Sequence, residues 1–105
     1  MKKIFSFLTA ILLISLITKA QIVINEYSAA NYDTYQDNYG DYSDWVELYN
    51  PTNVAIDISG WFLTDKPSNP TKWTVPSSFI VPAMETAIIY CSGRDEITGT
   101  NAHTN

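Results

Sequence analysis

The sequence predicts an all-β protein, a small β-sandwich carried behind a secretory signal. Three observations predict it. Short β-rich runs alternate with clusters of Pro, Gly, Asn, Asp and Ser. No stretch beyond residue 20 has 3.6-residue apolar periodicity long enough for a helix. Six such runs follow one another at the spacing typical of sandwich strands.

The first 20 residues stand apart and are excluded from the fold. Lys2 and Lys3 form a positive start, Ile4 to Ile17 an apolar core, and Thr18-Lys19-Ala20 ends in a small residue, so cleavage is expected between Ala20 and Gln21. The apolar run is 14 residues long, short of the roughly 20 that span a bilayer as a helix, which argues against a permanent membrane anchor. No Cys lies beside the cut to carry a lipid. Residues 21–105 are therefore expected as one exported domain, secreted or held at the cell surface.

The predicted strands are Ile22–Tyr27, Trp45–Asn50, Ala55–Ile58, Trp61–Thr64, Lys72–Val75 and Thr86–Cys91. Between them lie Asn50-Pro51-Thr52-Asn53, Ser59-Gly60, Asp65 to Pro70, Pro76-Ser77-Ser78 and Pro82-Ala83. Pro cannot donate to a ladder and Gly reaches backbone angles closed to other residues, so these are turns by mechanism. In Trp45-Val46-Glu47-Leu48, alternation puts Val46 and Leu48 on the core face and Glu47 on the other. Trp45, Trp61 and Trp73 are expected in the core or at its rim, with Trp61 filling space between the sheets after a turn at Gly60. Gly93 to Asn105 is polar and lacks alternation, and reads as an interrupted loop.

Composition narrows the function. Residues 21–105 keep only Lys66, Lys72 and Arg94 against eleven acids, a net charge of −8. Nucleic acid is thereby disfavoured, because binding it needs Lys and Arg to displace counterions from phosphates. The single Cys91 permits no intrachain disulfide, so packing alone must hold the core. A domain of this size buries only about 60–65% of its unfolded surface, which makes every strand count.

Ser28 to Asp44 is too long for a hairpin turn. It interleaves Tyr32, Tyr35, Tyr39 and Tyr42 with Asp33, Asp37, Asp41 and Asp44. Loops of this length are commonly functional, and tyrosine offers rigid amphipathic contact area, so the four tyrosines are candidate ligand contacts. Asp37, Asp41 and Asp44 gather hard oxygens within eight residues and are candidate ligands for calcium. The loop does not fit an EF-hand. With Asp33 in first place, Asn38 stands where Gly is required and Asp44 where Glu is expected; with Asp37 first, Leu48 falls last. Aspartates that simply stay hydrated are the competing expectation.

Three ordered stretches carry a family resemblance: Ile24-Asn25-Glu26, Asp44-Trp45-Val46-Glu47-Leu48-Tyr49-Asn50, and Asp57-Ile58-Ser59-Gly60-Trp61-Phe62-Leu63-Thr64-Asp65. It continues through Pro70-Thr71-Lys72-Trp73, Ile80-Val81-Pro82-Ala83 and Tyr90-Cys91-Ser92-Gly93. In these residues the chain resembles the lamin tail domain in its bacterial secreted form. The resemblance implies an immunoglobulin-like sandwich with no catalytic residues. It also implies an interaction or anchoring role within a larger exported protein, with a protein or cell-surface component as partner. Similar domains continue with hydrophobic strands past the stretch equivalent to His103-Thr104-Asn105, so a sandwich incomplete at its C-terminus is expected.

Catalytic chemistry finds little support in the residues. His103 is the one histidine, next to a polar tail, and there is no Gly-x-Ser-x-Gly elbow for a serine nucleophile. Cys91 ends an apolar run without a basic neighbour and is expected buried and inert. One His and one Cys cannot make a zinc site. Glu26 and Glu47 would approach as a carboxylate pair if their strands were neighbours, as in glycoside hydrolases, although a structural hydrogen-bonding role is the simpler expectation. The remaining classes are a tethering module without a cofactor and a carbohydrate- or peptide-binding module using the tyrosine loop.

Overall fold

The computed structural model describes residues 21–105; the predicted signal sequence, up to Ala20, lies outside the described residues, and Gln21 is exposed. The described chain is all β: β1 (Val23–Ser28), β2 (Asp44–Tyr49), β3 (Ile56–Asp57), β4 (Phe62–Leu63), β5 (Trp73–Thr74), β6 (Ile80–Val81), β7 (Thr86–Cys91), β8 (Glu96–Thr98) and β9 (Asn101–His103). A five-stranded sheet in the order β1-β2-β7-β9-β8 faces two short ribbons, β3 with β6 and β4 with β5.

The alternating runs become the long strands. β2 pairs antiparallel with β1 on one side and β7 on the other. Leu48 and, across the ladder, Ala87 and Ile89 point to the core, with Val46 partly buried against it. The opposite face carries Trp45 and Glu47 of β2 beside Ile88 and Tyr90 of β7. In β1 the register shifts between Ile24 and Glu26, leaving Asn25 as the extra residue of a bulge. Asn25 Nδ2 donates to Glu47 Oε1 at 2.7 Å. The shift makes Glu26 the cross-strand partner of Glu47.

The polar segment expected to be a loop is instead β8 and β9. They form a hairpin around Gly99-Thr100, where Gly99 takes φ +62°, as a two-residue turn with glycine first requires. β9 then lies parallel to β7, with Ile88 opposite Asn101, Ile89 opposite Ala102 and Tyr90 opposite His103. Its lack of large apolar side chains hid it in the sequence. Flanked by a strand on each side, it is held by two ladders and by burying Ala102 and His103 completely.

In the second layer the predicted strands shrink to two residues each, and Ile80–Val81, which lies between the turns Pro76-Ser77-Ser78 and Pro82-Ala83 and is not among the predicted strands, adds β6. Positive φ at Gly60 (80°) and at Ser78 (70°) breaks the ladders, yet hydrogen bonds from Ile58 N to Phe79 O (3.0 Å) and from Val75 N to Trp61 O (2.8 Å) carry the layer across the breaks. Ile56, Ile58, Trp73, Val75, Phe79 and Val81 fill the space above Leu48, Ala87, Ile89 and Ala102. Each fully buried side chain of this size contributes roughly 1.5–3 kcal/mol.

Two packing expectations are corrected. Trp61 is 45% exposed: it follows the Gly60 turn before β4 begins and sits at the lip of the layers, where Phe79 and Trp73 have already filled the interior. Cys91 is exposed as well. It continues the core-facing row of Ala87 and Ile89, but at the end of β7, where the facing layer no longer covers it.

Asn50, just past β2, is fully buried. Its Nδ2 donates to Val54 O at 2.8 Å and Val81 O at 3.1 Å, while its Oδ1 accepts from Thr52 N at 3.0 Å and Thr52 Oγ1 at 2.7 Å. One side chain thus closes the turn leaving β2 and ties it to β6.

Candidate functional site

The loop between β1 and β2 lies across the outer face of the main sheet. Two residues shape it. Asn31, 3% exposed, accepts at Oδ1 from Thr34 N and Tyr35 N (3.2 and 3.1 Å) and donates from Nδ2 to Tyr35 O and Ser43 O. Asp37, 6% exposed, accepts at Oδ1 from Tyr39 N (2.9 Å) and Asp41 N (3.0 Å), and at Oδ2 from the Ser43 hydroxyl (3.4 Å). Aspartate suits this position because its short carboxylate reaches the N–H two residues ahead and holds the turn. Burial by itself would raise the Asp37 carboxyl; the N–H groups of Asp41 and Tyr39, with His103 and Ser43, outweigh it and hold the carboxyl below its ordinary range.

The three aspartates proposed for calcium do not converge. Asp37 is occupied by backbone N–H groups, Asp41 pairs with Arg94 at 2.6 Å, and Asp44 Oδ1 accepts from Asn31 N at 3.0 Å. Among the described residues no group of three His, Cys, Asp or Glu side chains is placed to hold a metal ion.

The tyrosines divide into two pairs. Tyr35 and Tyr39 pack onto the sheet and stay about half exposed (46% and 47%), whereas Tyr32 projects at 84%. Tyr42 is 44% exposed. Tyr35 stacks on Tyr90 (centroids 6.5 Å apart, planes at 18°) and tilts against Trp45 (6.0 Å, 53°). Tyr90 packs on His103 at 5.1 Å, Tyr39 meets the imidazole edge-on at 5.6 Å, and the Arg94 guanidinium lies 3.9 Å above the Tyr39 ring. The row is thus Trp45, Tyr35, Tyr90, His103, Tyr39, Arg94. Burial pushes the Tyr90 phenol up to about 12, so it stays neutral.

His103, read from sequence as part of a polar tail, is the pin of this arrangement and is completely buried. Its Nε2 is 2.8 Å from Asn38 Oδ1 and its Nδ1 2.8 Å from Ser92 Oγ. Asn38 Oδ1 can only accept, so Nε2 carries a proton and donates to it, while the Ser92 hydroxyl can serve Nδ1 as either donor or acceptor. A serine, a histidine and an amide in line invite comparison with a hydrolase relay. Here, however, the imidazole is sealed between two tyrosine rings, and the set acts as a clasp joining the loop to β9. The hydroxyl of Tyr39 adds a bond to Glu96 of β8. Only the isolated imidazole could have signalled this clasp in the sequence, because its partners lie 11 and 65 residues away.

Three surface depressions flank these elements. One of about 260 Å³ on the outer face is lined by Glu26, Thr34, Tyr35, Trp45, Glu47 and Ile88. The strand pairing therefore does bring Glu26 and Glu47 together, in an open hollow rather than an enclosed cleft. An apolar groove of about 160 Å³ runs between the layers beside Ile24, Trp61 and Phe62. A third, of about 300 Å³, is bordered by Leu63, Asp65, Lys72, Trp73 and Cys91. The Cys91 thiol is raised above its ordinary range, first by the atoms crowded around it and then by Asp44 and Asp65, so this exposed cysteine is a protonated, weak nucleophile.

No helix among the described residues is long and apolar enough to cross a membrane. No curated protein and no solved structure matches the chain significantly. The family model described as Lamin Tail Domain matches residues 17–105. That family is a non-catalytic, immunoglobulin-like domain associated with protein interaction, which agrees with the two-layered sheet and with a histidine used as a clasp. On the sequence match over most of its length and on the architecture, the chain belongs to the lamin tail domain family.

Proposed function

We propose that this lamin tail domain is a non-catalytic interaction and anchoring module of an exported, multidomain bacterial protein, and that it binds a protein component of the cell surface through the tyrosine loop. One observation carries the reading: the loop that exposes Tyr32, Tyr35, Tyr39 and Tyr42 is fastened at Asn31, Asp37 and the Asn38–His103 bond. A fastened loop loses little conformational entropy on binding, and tyrosines give large contact area with few rotatable bonds. The net charge of −8 over residues 21–105 points the surface away from nucleic acid.

Tyr32 and Tyr42 are the pair to test, since neither takes part in the aromatic row that supports the fold. Purified protein should co-sediment with the envelope fraction of the producing bacterium, and Tyr32→Ala with Tyr42→Ala should abolish this while leaving the thermal midpoint within a few degrees. Protease treatment of the envelopes should remove the binding, and a glycan array should stay silent. Binding that survives protease and is matched by an array hit would support the alternative, a carbohydrate-binding module. Absence of any co-sedimentation would refute the anchoring reading.

A further inference from the structure

The hollow on the outer face holds two carboxylates that no described residue supplies with a counter-charge. Glu26 and Glu47 are direct cross-strand partners, an arrangement in which like charges repel. Among the described residues the ion pairs are Lys72–Asp65 and Arg94–Asp41; neither reaches the hollow. Asn25 Nδ2 takes one oxygen of Glu47 at 2.7 Å, but an amide brings no charge. The hollow is walled by the rings of Tyr35 and Trp45, whose centroids lie 6.0 Å apart with planes at 53°. The Trp45 indole N–H is buried and has no hydrogen-bond partner among the described residues; being a donor it gives nothing to a cation, but it makes a resolved reporter beside the hollow.

We propose that this hollow is a receptor site for a lysine side chain of the protein partner, a proposal that rests on reading the domain as a protein-interaction module. An ammonium group offers three hydrogens and a compact charge, which suits two carboxylates presented from adjacent strands. Aromatic faces attract a cation through their quadrupoles while covering the aliphatic stem of the lysine. A guanidinium could fork only on Glu26, because one Glu47 oxygen is already engaged by Asn25, whereas a compact ammonium can engage both carboxylates at once. The acidic balance of the domain would steer a basic partner towards the face on which the tyrosine loop also lies. The hollow and the exposed tyrosines then form one contact surface, with the lysine as its specific anchor.

The test uses nuclear magnetic resonance on the full chain, titrated with the peptide Gly-Gly-Lys-Gly-Gly and, separately, with the same peptide acetylated on the lysine. Saturable shifts are expected at the Trp45 indole N–H and at the Glu26 and Glu47 amides, with a midpoint on the order of 1 mM, about −4 kcal/mol. The acetylated peptide should produce none. Glu26→Gln and Glu47→Gln keep side-chain shape and should each weaken binding several-fold, whereas Asp65→Asn, outside the hollow, should change nothing. Shifts spread evenly over the acidic surface, or unaffected by the two glutamine variants, would overturn the proposal. So would calcium chloride moving the same resonances in place of the peptide, because the site would then be a metal site. In the envelope assay, loss of binding in the Tyr32/Tyr42 variant but not in the glutamine variants would sink the lysine site and leave the anchoring reading intact.

Discussion

Replacing Asp37 by alanine removes the carboxylate that holds the loop closed. Two backbone donors, on Tyr39 and Asp41, lose bonds of 2.9 and 3.0 Å to a charged acceptor. Both lie near the surface and can turn to water, so the loss is that of two bonds rather than of two orphaned groups, about 2–3 kcal/mol together. The loop covers His103, so opening it bares a buried imidazole, and the loss is expected to appear in global unfolding. For a domain of this size, 2–3 kcal/mol lowers the thermal midpoint by about 8–24 °C. The pH dependence follows from the direction of the shift. Because the folded carboxyl is held below its ordinary value, its stabilisation is complete above the unfolded value near 3.9 and is lost as pH falls through the lower folded value. The gap between wild type and Asp37→Ala, followed by circular dichroism, should therefore be full at pH 7 and close in stronger acid. Asp37→Asn, which keeps an accepting oxygen but no charge, should fall between the two at neutral pH. Midpoints of wild type and Asp37→Ala that coincide at pH 7, or a gap that persists unchanged in acid, would refute this account of the loop.

Asn50→Ala should be more damaging, because it leaves the buried Val81 O without its side-chain donor and removes the acceptor of Thr52 N, while Val54 O keeps the Thr52 hydroxyl; a loss of about 3–4 kcal/mol is expected in urea unfolding, with little change in slope. Cys91, exposed but with its thiol raised, should react with iodoacetamide at pH 8 more slowly than free cysteine and speed up as pH rises further; faster labelling than the free amino acid would contradict its described surroundings. Millimolar calcium should leave the thermal midpoint unchanged, because Asp37, Asp41 and Asp44 already serve other partners; a rise that Asp37→Asn with Asp41→Asn abolishes would show that the loop rearranges to build a metal site.

What was legible in the sequence was whatever repeats at short range. Val46 and Leu48 alternate with Trp45 and Glu47, and β2 came out in place; β1 and β7 did too. The Asn25 bulge, which decides that Glu26 meets Glu47, leaves no trace in alternation because it depends on the partner strand. β9 escaped because Asn101-Ala102-His103 has nothing apolar larger than alanine, and only two flanking ladders make it a strand. Trp61 misled in the opposite sense. Its size suggested an interior position that the placement of the Gly60 turn denies it. The tyrosine loop was visible as an oddity of length and composition. Its fastening was not, because Asn38 and Tyr39 find their partners in His103 and Glu96, some 60 residues further along the chain.

That last separation has a consequence for how the chain comes to be folded. Residues 28–44 are synthesised early, but their ties to β8, β9 and the segment before them wait for residues 94–103: Asp41 for Arg94, Tyr39 for Glu96, Asn38 for His103. β8 and β9 are close neighbours in sequence and close their hairpin quickly, whereas bringing the loop to them encloses more than 50 residues, a step that entropy makes slow. The segment Asn38–Asp41, with the Tyr39 ring, is therefore the last part of the loop to be fixed. A chain halted short of residue 94 would keep Tyr35 on Trp45 and Tyr90 but leave Tyr39 without Glu96, Arg94 and His103, an exposed aromatic edge of the kind that incompletely folded chains present to chaperones.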